Sequence, residues 1–174
     1  MPYFDEIKDY TPHRQALMLA IGRQESRFLP SVVSTSYALG MMQFMPFVAR
    51  DIAKKQKLEN FSLDAMFDPR IAYLFGNIHL DFLEKNLYHP LFIAYAYNGG
   101  IGFTRKHLLG GTFSKKEYEP FLSMETMIND ESREYGKKVL ANYVVYMRLL
   151  GEEVSINNLF ETLLTPSQSD RFRN

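Results

Sequence analysis

Four of the eight prolines stand at the head of an apolar stretch with helical spacing, and they constrain the fold of this chain more than any other feature. A proline fits the first helical turn because its missing N–H would be unpaired there anyway. Thr11-Pro12 opens the first stretch, with Thr11 as N-cap. Leu17, Ile21 and Phe28 then recur at spacings of four and seven, which predicts one helix face; Pro30 disfavours helix at Leu29 and ends it there. Pro46 starts a second helix through Val48, Ala49 and Ile52 to about residue 57. Asp68-Pro69 starts a third, with an apolar face of Ile71, Leu74, Phe75, Ile78 and Phe82. Pro90 opens a short one through Ala94 and Tyr97, closed at Asn98-Gly99-Gly100, where glycine supplies a left-handed C-cap.

The remaining pattern is also helical. A segment over 103–109 is closed by Gly110-Gly111, and a less regular one over 116–126 is interrupted by Pro120. Asp130 is expected to cap a long helix ending near Leu150, with Val139, Leu140, Tyr143, Val144 and Met147 on its face. Ser155 caps a last short helix. Residues 29–37 read as a loop, and no strand alternation of useful length occurs. The expected architecture is a mainly α domain over residues 13–164, with a lead-in arm at 1–12 and a frayed polar tail at 165–174.

Composition removes several function classes. With 46% hydrophobic residues in 174, the chain can bury a core, and its nine Met and fourteen Phe read as core filler. Lys plus Arg equals Asp plus Glu at 20 each, which argues against nucleic-acid binding by bulk charge. The absence of Cys excludes disulfides and thiolate metal sites. No apolar run approaches the roughly 18 residues of a membrane span. The first fifteen residues carry three acidic groups and no apolar core of a signal peptide. His13, His79, His89 and His107 have no metal-binding spacing, and no cofactor is expected. There is no G-x-S-x-G elbow, and Gly99-Gly100-Ile101-Gly102 lacks the Lys-Ser/Thr of a phosphate loop.

Chemistry concentrates first in Arg23-Gln24-Glu25-Ser26-Arg27-Phe28. Glu25 lies four residues after Ile21, on the apolar face and near the negative end of the predicted helix. Desolvation and the helix dipole both favour its neutral acid, the form a general acid near neutral pH needs. The plainer reading is a carboxylate at the core rim, paired with Arg23 or Arg27.

Further stretches join it in order: Ser34, then Gly40-Met41-Met42-Gln43-Phe44-Met45-Pro46, then Ala96-Tyr97-Asn98-Gly99-Gly100, then Glu131-Ser132-Arg133-Glu134-Tyr135. Over roughly residues 13–150 this series resembles the catalytic domain of the soluble lytic transglycosylases of bacterial cell-wall turnover. That family shows an E-S helix end, G-L-M-Q-x-M-P, A-Y-N-A-G and E-T-R-x-Y. Met41, Gly100 and Ser132 stand where Leu, Ala and Thr are usual, and Tyr37-Ala38-Leu39 replaces the usual small residues.

The resemblance implies a lysozyme-like helical domain with a glycan-binding groove. It implies Glu25 as the single catalytic acid, with Ser26, Ser34, Gln43, Met45, Tyr97, Asn98 and Glu131 as substrate-binding residues. Glu131 would orient substrate rather than attack it. Each has a structural alternative: Asn98 as a helix C-cap, Tyr97 as a buried ring, Gln43 as an amide bonded to backbone, Glu131 as a first-turn acid. Most glycosidases use two carboxylates. One suffices when the 2-acetamido group of N-acetylmuramic acid is the nucleophile, and the family's product is a 1,6-anhydro end. The implied partners are peptidoglycan strands, with cell-wall synthesis or secretion-machinery proteins as further candidates, in the periplasm or cell envelope. The chain is then expected to be an excised domain or a short relative. A hydrolase of the goose-type lysozyme kind and an inactive glycan-binding or scaffold module stay open.

Overall fold

Thr11 and Pro12 start the first helix as the sequence predicts: the Thr11 hydroxyl accepts from the Arg14 amide at 3.3 Å, and α1 is Pro12–Ser26. The computed structural model describes residues 1–113, 117–127 and 129–164; the expected tail at 165–174 lies outside them. The chain divides into two units, Met1–Leu80 and Asp81–Asn174.

In the first unit α1 is buried on all sides from Gln15 to Gly22, rather than along one stripe. It stops at Ser26, short of Leu29. The stop comes from two successive left-handed residues, Arg27 (φ 54°) and Phe28 (φ 65°). The Phe28 amide then donates back to the Gly22 carbonyl at 3.3 Å. This reversal folds the Phe28 ring onto Gly22, where an added Cβ would sit 3.3 Å from it. Phe28 therefore joins the core without belonging to the helical face.

The lead-in arm is tied down. Ile7 is buried, and the Gln15 amide donates to the carbonyls of Lys8 and Tyr10, each at 2.8 Å. Beyond the loop come α2 (Pro46–Lys55), a 3-10 turn at Leu63–Phe67 and α3 (Pro69–Asn86), inside which the first unit ends. Met18, Met41, Met42 and Met66 are fully buried, as a core-filling role requires. Phe44 meets Phe75 edge-on at 6.3 Å, and Phe61 stacks on Phe75 at 5.2 Å. The predicted α3 face is corrected in part: Phe75 is buried, but Leu74 and Phe82 are exposed, and the core takes Ala72, Tyr73, Leu80 and Leu83.

The second unit holds α4 (Pro90–Gly99), α5 (Ile101–Leu109), α6 (Phe121–Thr126), α7 (Asp130–Leu149) and α8 (Ile156–Leu163). α4 packs on α7. Gly136 makes the approach possible, since a Cβ there would lie 2.2 Å from the Tyr95 ring. His89 caps α4: its Nδ1 accepts from the Leu91 amide at 3.0 Å, and its Nε2 donates to the Leu159 carbonyl at 2.8 Å. That pair of bonds fixes the neutral tautomer. Asn129, not Asp130, caps α7, accepting from the Ser132 amide at 2.9 Å. Asp130 is already inside the first turn.

Candidate active site

Glu25 is half-buried in the last turn of α1, next to Arg23 and Ser26. Ser26 is 7% exposed, and its hydroxyl donates to the Met41 carbonyl at 2.8 Å. One short bond thus ties the helix end that carries Glu25 to the 40–43 turn. The turn itself is closed by paired bonds between Leu39 and Phe44, at 2.9 and 3.0 Å. Gly40 is obligatory there: it has φ +73°, and a Cβ would fall 1.9 Å from the Met66 carbonyl oxygen.

Gln43 is half-buried, with φ 50°. Its amide nitrogen donates to the Gly40 carbonyl at 2.7 Å and the Val32 carbonyl at 3.2 Å. Two acceptor partners on one side of the amide fix its orientation, with the oxygen turned the other way. The Ser34 hydroxyl accepts from the Ala38 amide at 2.9 Å, and the Tyr37 amide donates to the Ser34 carbonyl at 2.9 Å. Met45 is half-buried at the N-cap of α2. Among the described residues, eight non-glycines have positive φ, and Arg27, Phe28, Tyr37 and Gln43 fall within the short stretch after Glu25. Strain of this kind concentrates at functional sites.

In the second unit Tyr97 and Asn98 are half-buried in the last turn of α4. The Ser132 hydroxyl donates to Asn98 Oδ1 at 2.6 Å, and Asn98 Nδ2 donates to Glu131 Oε1 at 3.2 Å. Glu131 is exposed in the first turn of α7. Gly99 keeps this corner open, because a Cβ would sit 2.7 Å from the Ser132 hydroxyl oxygen. Sequence reasoning named Asn98 and Glu131 as candidate site residues but missed Ser132 as their link. It also missed the His89 cap, for which the His-Pro pair at a helix start was the only signal.

Burial shifts two of the four histidines, and Tyr143 among the tyrosines. Burial pushes His79, edge-on to Phe44 at 5.9 Å, down to about 4. Burial pushes His89 down to about 4 as well. Burial pushes the Tyr143 phenol up to about 12. No cluster of three or more His, Asp or Glu suited to a metal occurs among the described residues, and no described helix is long and apolar enough to cross a membrane.

These features define a mainly α, lysozyme-like domain. Its backbone superposes on the crystal structure of the 70-kDa soluble lytic transglycosylase of Escherichia coli with a TM-score of 0.72 at 27% identity, covering 98% of this chain and 27% of that one. The chain belongs to the transglycosylase SLT domain family, whose pattern it matches over residues 2–119. It is 30% identical over 166 residues to the soluble lytic murein transglycosylase of Escherichia coli K12, covering 92% of this chain and 25% of that protein. It is 37% identical over 98 residues to membrane-bound lytic murein transglycosylase C of Shigella sonnei, covering 51% and 27%. A complex of the 70-kDa enzyme with bulgecin A superposes with a TM-score of 0.75 at 28% identity, covering 90% and 26%. The chain spans about a quarter of the length of these relatives.

Proposed function

We propose that this chain cleaves the β-1,4 bond between N-acetylmuramic acid and N-acetylglucosamine in peptidoglycan and leaves a 1,6-anhydro-N-acetylmuramic acid end. The observation that carries the reading is Glu25 inside the matched domain, at a helix end braced by the Ser26–Met41 bond. The relatives' names as lytic murein transglycosylases support it. Glycan strands are the substrate, and the periplasm or cell envelope is the place of action.

Glu25 in its neutral form protonates the bridging oxygen, and the bond from that oxygen to C1 breaks. The acetamido oxygen of the muramic residue closes on C1. The Glu25 carboxylate then takes the proton of the C6 hydroxyl, whose oxygen attacks C1 and releases the acetamido group. Glu25 ends neutral, and no water is consumed. Tyr97 and Asn98 hold the acetamido group, with Asn98 oriented by Ser132 and Glu131. Ser26, Ser34 and Gln43 act chiefly by holding the loop backbone, as their bonds suggest, and Met45 and the outward edge of Gln43 line the groove. The bond from Asn98 Nδ2 to Glu131 favours Glu131 as a brace over a base.

Mass spectrometry of murein digested with the purified chain tests this. Anhydro ends, one water lighter than reducing ends, are expected. Reducing ends alone mean a hydrolase, and no released muropeptide means an inactive module.

A further inference from the structure

Tyr37 sits at the tip of the loop that carries Ser34 and Gln43, with φ 64°, and is 74% exposed. A left-handed backbone is costly for any residue with a Cβ. At the neighbouring sites the fold recovers that cost. Phe28 is buried against Gly22, and the Gln43 amide bonds two carbonyls. The Tyr37 ring shows no such compensation: among the described residues it makes no hydrogen bond or ring contact, and the residue is mostly exposed. The backbone around it is nevertheless fixed, by Tyr37 N–H to the Ser34 carbonyl at 2.9 Å and Ser34 N–H to the Ala38 carbonyl at 3.0 Å. A rigid turn thus holds a large aromatic ring out in solvent. Leu29, Val33 and Phe47, from the same 29–47 stretch, are also exposed. Tyr118 shares the backbone and the exposure, but its turn carries no site residue.

An exposed ring that the fold does not use, on the loop of the site, is suited to a ligand with an apolar face. The C–H face of a pyranose is such a surface, and the indicated substrate is a chain of pyranoses. We infer that Tyr37 is a sugar platform, stacking on one ring of the glycan strand and setting affinity rather than turnover. The inference rests on the reading of the chain as a glycan-cleaving enzyme.

The test compares wild type, Y37G and Y37F on soluble glycan strands, with product by mass spectrometry and melting of each protein. Y37G should raise KM about three- to tenfold, the range of a lost aromatic contact, with kcat within about twofold. It should melt no lower than wild type, because glycine relieves the left-handed strain. Y37F should keep the wild-type KM. A Y37G variant with unchanged KM, or one whose lost activity tracks a lowered melting point, overturns the inference alone. A wild type that releases no muropeptide overturns the functional reading. In that case, pull-down on insoluble murein decides Tyr37 separately: weaker binding by Y37G supports the platform, and equal or absent binding overturns it.

Discussion

The Ser132 hydroxyl, fully buried at the start of α7, donates to Asn98 Oδ1 at 2.6 Å and so turns the Asn98 amide nitrogen toward Glu131. An asparagine held at both ends cannot flip, and its dipole has one direction. Ser132→Ala removes the donor and frees the flip. We expect a stability loss of about 1 kcal/mol, typical of one buried hydrogen bond. If Asn98 orients substrate, kcat should fall further than that loss explains, measured on folded protein below its melting point. Ser132→Thr keeps the hydroxyl and should retain most of the activity.

Tyr95 offers the opposite case. Its hydroxyl is buried without a partner among the described residues, and burial together with the nearby Glu125 pushes its ionisation well above the ordinary phenol range. A buried polar group that makes no bond costs free energy. Tyr95→Phe removes only that oxygen and keeps the ring that fills the space at Gly136. Denaturant unfolding should find the variant as stable as wild type, or up to about 1–2 kcal/mol more stable. A marked loss would mean that the hydroxyl has a bound partner in solution.

Four helix starts were legible because their signals are local: Pro12, Pro46, Pro69 and Pro90 each open a helix, whereas α5 and α6 begin at Ile101 and Phe121 rather than at 103 and 116. The end of α1 was not, because its stop is made by Arg27 and Phe28 in a backbone state that neither residue favours. The packing of Phe28 on Gly22 and the Phe28–Gly22 hydrogen bond help to hold that state. The α3 face was read from spacing alone, yet Leu74 and Phe82 lie at its exposed edge. Gly136 and Gly40 look like ordinary glycines until the Tyr95 ring and the Met66 carbonyl are placed against them. Glu25, Asn98 and Glu131 were named as candidates through motif order, whereas the Ser132–Asn98 bond joins residues from separate helices and has no local sequence sign.

His89 gives the fold a pH dependence with a definite sign. Its ring is neutral in the folded state, with a pKa lowered from 6.5 to about 4 by burial. Between those values the unfolded chain binds a proton that the folded chain refuses. The stabilisation is therefore complete above about pH 6.5 and lost progressively as pH falls toward 4, by at most about 3 kcal/mol. His79, lowered to about 4 by the same cause, adds in the same window. His89→Asn keeps an acceptor for the Leu91 amide but removes the titrating ring. Its stability should be lower at pH 7, through loss of the Leu159 bond, and should fall less steeply between pH 6.5 and 4. Chemical unfolding at several pH values measures both.

Glu25 and Glu131 together test a mechanism with one carboxylate. Glu25→Gln removes the proposed proton donor at the end of α1 and leaves the Ser26–Met41 bond in place. Activity should fall at least a hundredfold, within the 10²–10⁴ expected of general acid catalysis, with little change in melting. Glu131→Gln keeps an oxygen that can accept from Asn98 Nδ2, so the brace survives while basicity is lost. This variant should retain much of the activity and still yield anhydro ends. Glu131→Ala, which loses the bond to Asn98, should be the weaker enzyme of the two. A different result separates the alternatives sharply. If Glu131→Gln were as inactive as Glu25→Gln and wild-type products carried reducing ends, Glu131 would be the base of an inverting hydrolase. The loss would then come from basicity and not from shape.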